Sequence, residues 1–161
     1  MRFKKNFFTI LAIFFLLTSN SSAKIIGKKI VFGSTVSLSG KYSSEAISIK
    51  KNHKIFIEKI NQSNGIKISG KLYKFEIIYY DNESNETRAN QLLKRLIQND
   101  GVQYLISPHN LKLTDEVENL IKINKLAISP SYDAIKIYID AFKSTDSIES
   151  RKIREYILNN K

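Results

Sequence analysis

The chain of 161 residues has no cysteine. That excludes disulfides, thiolate metal sites, a cysteine nucleophile and a lipid-bearing cysteine. No stretch is rich in Pro, Gly or Ser, and there is no internal repeat, so nothing in the sequence marks a linker. At this length a single domain with a sizeable core is expected. A glycine-rich phosphate loop and a nucleophile elbow are both missing. Histidines and carboxylates do not cluster at metal-ligand spacing. No catalytic residue, metal or cofactor is therefore assigned, and an enzyme is not expected.

Charge of one sign is in short supply too: 15 acidic residues face 26 basic ones, a formal net charge of +11. The lysines are spread along the chain and arginine is scarce, so the excess does not read as a nucleic-acid footprint. Three of the positive charges, Arg2, Lys4 and Lys5, belong to the opening residues, and without them the balance is +8. They precede an apolar run, Phe7 to Leu17, which is shorter than the roughly 20 residues a membrane span needs. Thr18 to Ala23 is polar and small, with Ser21 and Ala23 suited to a signal peptidase site. The expectation is a signal peptide over 1–23, cleavage after Ala23, and an exported, periplasmic chain over 24–161.

The exported part alternates strand and helix patterns. Ile30 to Val36 is apolar on both faces, as in a buried parallel strand, and ends in the small-residue loop Leu38-Ser39-Gly40. From Ser43, Ala46, Ile49, His53, Phe56, Ile57 and Ile60 recur at steps of three and four, which predicts a helix of about five turns ending at Asn64-Gly65. Ile66 to Gly70 reads as a short extended piece and Leu72 to Tyr80 as a strand. Asp81 is expected to cap the turn that follows. A second helix carries Ala89, Leu92, Leu93, Leu96 and Ile97, and Val102 to Ile106 is a strand. Thr114 caps a third helix with Val117, Leu120 and Ile121 inward, and Leu126 to Ser129 is a further strand. Two helices close the chain, over Tyr132 to Phe142 and after Ser147, which is expected to cap the last one. The fold class is α/β: an open parallel sheet of about four strands with helices on both faces, plus two C-terminal helices.

The motifs, in order, are Leu38-Ser39-Gly40; Phe56 to Asn61 with Gly65-Ile66; Tyr80-Asp81-Asn82-Glu83-Ser84; Ala89 to Lys94 with Leu96; Asn99-Asp100-Gly101-Val102; Ile106-Ser107-Pro108; and Ile128-Ser129-Pro130-Ser131. In this order and spacing the chain resembles the branched-chain amino-acid-binding type of periplasmic solute-binding protein, the receptors that feed ABC importers. The resemblance implies a type I lobe, a small ligand of the amino-acid or amide class, and an ABC permease as membrane partner. Members of that family are typically more than twice as long and close two lobes on the ligand. Here Ser131 runs directly into Tyr132-Asp133-Ala134-Ile135, and residues 132–161 resemble a late segment of the family. The expectation is an amino-terminal lobe joined to that segment by an internal deletion. The alternatives are a single-lobe interaction or regulatory module, such as a homo-oligomer through an exposed sheet or helix surface, and a remnant whose late helices leave the sheet uncovered.

In an open α/β sheet a ligand lies beyond the carboxyl ends of the strands, at the switch point. That selects the loops Ser37 to Ser44, Ser107 to Leu111 and Ser129 to Tyr132. By the resemblance, Ser39, Tyr42, Ser129 and Ser131 keep hydroxyls that would meet an amino acid. The family's small-hydroxyl pair after Ser107-Pro108 is replaced by His109-Asn110-Leu111; His109 can contact a ligand and Asn110 can donate to a carboxylate. Glu45 stands near where relatives carry an aromatic residue, and its charge favours an ammonium group over an anion. His53, on the helix stripe, is expected to be packed rather than functional. Asn61, Asn82 and Asn85 match the N-glycosylation pattern, which carries little weight beside an export signal of bacterial form.

Overall fold

The computed structural model describes residues 28–130 and 132–160; the signal-peptide and cleavage expectations, and Ser131, lie outside the described residues. Within them, strands β1 (Lys28–Val36), β2 (Ile66–Ile68), β3 (Lys71–Asp81), β4 (Tyr104–Ile106) and β5 (Ala127–Ser129) form one sheet in the order β2-β3-β1-β4-β5. β1, β3, β4 and β5 are parallel, as expected. The sheet is nevertheless mixed and five-stranded, because the short piece after Gly65 pairs antiparallel with the start of β3. Ser69 and Gly70 both have positive φ (45° and 76°), the conformation a two-residue hairpin loop requires, and that turn folds β2 back on β3.

The helices are α1 (Ser43–Gln62), α2 (Glu86–Gln98), α3 (Asp115–Ile123), α4 (Ala134–Thr145) and α5 (Ser150–Asn159). They follow from the periodicities above. Asn85 caps α2 by accepting from the Arg88 N–H, and Thr114 caps α3 by accepting from the Val117 N–H. Ser147 does not cap α5, whose N-cap is Glu149. Its hydroxyl accepts from the Glu149 N–H at 3.1 Å and so forms a turn ahead of the helix.

Strand alternation divides the core in two. Ile30 and Phe32 of β1 face α1, α4 and α5, together with Tyr73, Phe75, Tyr104 and Ile106. On the other face Leu105 and Val102 meet Leu93 and Leu96 of α2 and Val117 and Ile121 of α3, with Val31 packed against them. Gly33 belongs to this second face: a Cβ there would sit 2.9 Å from Val102 Cγ1 and 3.2 Å from Leu96, so glycine lets α2 approach the central strand. The late segment is integral to the core. Tyr138 and Phe142 of α4 are fully buried against Phe32, with ring centroids 5.0 and 6.3 Å away. Ile153 and Ile157 of α5 are buried with them, so α4 and α5 do cover the sheet.

Candidate functional site

Because β1 has its parallel partners β3 and β4 on opposite sides, the chain reverses direction across the sheet between β1 and β4. The loops after these strands diverge there and leave a crevice. Ser34, Ile106 and Ser129 are aligned across β1, β4 and β5 at its base. Ser34 and Ser129 are both buried, and the Ser129 hydroxyl has no hydrogen-bond partner among the described residues. A buried hydroxyl without a partner is costly, which marks this end of β5 as more than packing.

α1 starts above this base, and its N-cap residue, Tyr42, makes no side-chain cap bond. The Ser43 N–H is taken by the Gly40 carbonyl at 3.2 Å, while the positive end of the helix lies on the side of the loop after β4 that Glu45 reaches. Glu45 stands in that first turn. Its Oε2 is 2.7 Å from Nε2 of His109 and 3.3 Å from Nδ2 of Asn110, two residues of the loop after β4. The Glu45 side chain is 67 % exposed and that of His109 only 25 %, so the histidine forms the wall and the carboxylate the rim. Beside them an open cleft of about 390 Å³ is lined by Glu45, Ser48, Asn52, His109 and the exposed ring of Tyr132. His109 also borders a small inner space of about 10 Å³, room for one water at most, reaching to Ser34, His53 and Tyr79. Burial raises the Tyr79 pKa, so its phenol stays protonated; its hydroxyl lies 3.5 Å from His53 Nδ1. His53 is buried on the α1 stripe, as read.

Glu45, His109 and Asn110 thus come together. Ser39, Tyr42, Asn110 and Ser129 do not line either space. The Leu38-Ser39-Gly40 loop is instead tied to the turn after β3. Ser84 Oγ donates to the Ser39 carbonyl at 2.7 Å and accepts from the Tyr42 N–H at 3.1 Å. Asp81 accepts from the backbone N–H groups of Leu38 and Glu83, each at 2.9 Å, so its capping role holds. Asn82 is fully buried and accepts from the Ser37 hydroxyl at 2.7 Å and the Ser84 N–H at 3.0 Å. Gly40 is required by this contact: at φ 81° a Cβ would lie 2.8 Å from Ser84 Oγ. Ser48 and Asn52 were not singled out from the sequence, although with Glu45 they recur at steps of three and four, the polar stripe of α1 on the cleft side.

A profile of the periplasmic binding protein family matches residues 29–135, well over half of the chain. The chain belongs to this family. Its described fold is that of a type I lobe of a periplasmic binding protein. The branched-chain amino acid transporter substrate-binding protein LivJ of Streptococcus pneumoniae, solved with isoleucine, superposes with a TM-score of 0.54 at 15 % identity; the match covers 82 % of this chain and 46 % of LivJ. A possible leucine/isoleucine/valine-binding protein of Rhodopirellula baltica gives 0.56 at 12 % identity, covering 74 % of this chain and 37 % of its own. A putative branched-chain amino acid ABC transporter protein of Rhodospirillum rubrum gives 0.53 at 12 %, covering 67 % and 31 %. The chain therefore spans less than half the length of each of these periplasmic binding proteins.

Proposed function

We propose that this periplasmic binding protein supplies one wall of a solute site for an ABC importer, outside the cytoplasm, with an amino acid or amide as ligand. It acts by binding and not by catalysis, and needs no cofactor. The observation that carries the proposal is the convergence of Glu45, His109 and Asn110 at the carboxyl ends of β1 and β4, beside a cleft large enough for an amino acid.

The roles follow from the chemistry. Glu45 accepts the α-ammonium group. Asn110 Nδ2 and the positive end of α1 receive the α-carboxylate. The Ser129 hydroxyl gains the partner it lacks, Ser131 is a further hydroxyl by the family resemblance alone, and Tyr132 packs against the ligand's aliphatic part. Ser39 and Tyr42 act indirectly, as the loop that sets the start of α1. One wall encloses only one side of a small ligand, so affinity falls well below that of a two-lobed receptor. The join at Ser131 and Tyr132 is an internal deletion on this reading, and a transcript carrying an intervening segment contradicts that part of it. Leucine/isoleucine/valine-type ligands are the first to test, because LivJ was solved with isoleucine.

The test is thermal unfolding of the chain with a panel of amino acids, amides and simple carboxylates. A rise in midpoint for amino acids or amides supports the proposal. A cooperative transition that no ligand shifts counts against it.

A further inference from the structure

β3 is paired with β1 along its length on one side, but with β2 on the other side only over Lys71–Tyr73. The remaining edge has a readable polarity. The Asn82 N–H donates to the Val36 carbonyl at 3.0 Å, so even-numbered positions in this run turn their backbone groups toward β1. Odd-numbered positions turn theirs outward. Phe75 follows the rule: its C=O and N–H are both taken by the side-chain amide of Asn61, at 2.8 and 2.9 Å. At the other end the outward carbonyl of Asp81 accepts from Arg88 Nε at 3.1 Å. Between these two stops the N–H and C=O of Ile77 and Tyr79 face outward with no partner among the described residues.

Two residues spaced by one, each offering a donor and an acceptor, make a set complementary to itself. We infer that this window is the contact of an antiparallel homodimer with its twofold axis at Ile78. Ile77 exchanges both backbone bonds with the partner's Tyr79, and Tyr79 with the partner's Ile77. Pairing then stops, because the next outward groups are occupied by Asn61 and Arg88. The result is a closed dimer and not a growing sheet.

The side chains support the same register. A groove of about 290 Å³ beside the edge is walled by Ile57, Phe75, Ile77 and Tyr79, with Lys54 and Glu58 of α1 on its rim. α1 runs from His53, opposite Tyr79, to Asn61, opposite Phe75, so Lys54 lies toward the Tyr79 end and Glu58 toward the Phe75 end. The twofold axis reverses this order in the partner, bringing Lys54 toward the partner's Glu58. Within one chain the two side chains are 3.8 Å apart as an exposed i,i+4 pair (72 % and 54 %), a loose contact that can exchange for the pair across the axis. A contact of four backbone bonds and one groove is small, so association is weak, in the micromolar to millimolar range. The inference stands independently of the solute-binding reading, since it uses the outer edge of the sheet and not the cleft.

Sedimentation velocity of the full chain over a concentration series tests it. The expected result is a reversible monomer–dimer equilibrium. Lys54→Glu, an exposed change that leaves the fold intact, weakens the dimer by about tenfold, and the double change Lys54→Glu/Glu58→Lys restores it. Ile77→Pro removes an outward N–H without touching the ladder to β1 and abolishes dimerisation; if that variant does not fold, the charge swap decides. Monomer at every concentration overturns the inference and leaves the edge to an extended segment of another protein or to solvent. Growth beyond the dimer, or a dimer indifferent to Lys54→Glu, also overturns it.

Discussion

The carboxylate of Glu45 and the imidazole of His109 meet at 2.7 Å across 64 residues of sequence, joining the first turn of α1 to the loop after β4. The pair ties together the two loops that flank the switch point. Glu45→Gln is expected to cost less than about 1 kcal/mol of stability, because an exposed pair contributes little. The same change is expected to remove the thermal shift given by ligands with an ammonium group, while any shift from simple carboxylates persists. Unfolding midpoints of the two proteins with and without ligand check this.

Asn82 holds the entrance of α1 from beneath. Asn82→Ala leaves the Ser37 hydroxyl and the Ser84 N–H without their acceptor, and is expected to destabilise by about 2–3 kcal/mol. Urea unfolding should show a lower midpoint with an unchanged slope. An unaltered midpoint means that the loop is held by Asp81 and Ser84 alone.

The Tyr138 hydroxyl donates within the core, 2.6 Å from the Leu105 carbonyl and 3.0 Å from that of Ala127. Burial raises the pKa values of Tyr138 and Tyr104 in the folded state. The folded chain therefore holds these protons more tightly than the unfolded one. The stabilisation is complete below the ordinary tyrosine pKa of about 10 and is lost as pH rises above it. Denaturant midpoints are expected to be flat across neutral pH and to fall in alkali. Tyr138→Phe should lower stability by about 1–2 kcal/mol at neutral pH and flatten the alkaline fall.

Gly65 tests how β2 is placed. With φ at 83° and a Cβ position 2.0 Å from the Tyr73 carbonyl oxygen, Gly65→Ala must displace the hairpin. A loss of about 2 kcal/mol or more is expected by chemical denaturation. Gly70→Ala meets no neighbour within 4 Å and should cost less, through its φ of 76° alone.

β1, β3 and the five helices were legible because each carries a sustained pattern, as in the α1 stripe of Ala46, Ile49, His53 and Ile57, whereas β4 and β5 were read as short apolar runs between helices. β2 was read as extended but not placed in the sheet. Three residues are too few for alternation to decide a partner, although Ser69-Gly70 between Ile68 and Lys71 is a two-residue hairpin signal. At the site, His109 and Asn110 could be named from a loop that the topology selects, and Glu45 only through the family resemblance. Their mutual contact could not, since it depends on the height at which α1 starts. Ser39 and Tyr42 were drawn to the crevice by their loop, but Ser84 turns that loop toward β3. Tyr132 was legible only as a loop boundary, because an exposed aromatic leaves no periodic trace.

The most direct test is a backbone NMR titration of the chain with isoleucine. The account predicts saturable shifts confined to Glu45, Ser48, Asn52, His109, Asn110, Ser129, Tyr132 and their immediate neighbours, absent in Glu45→Gln. Shifts elsewhere, or none on approach to saturating ligand, would contradict it.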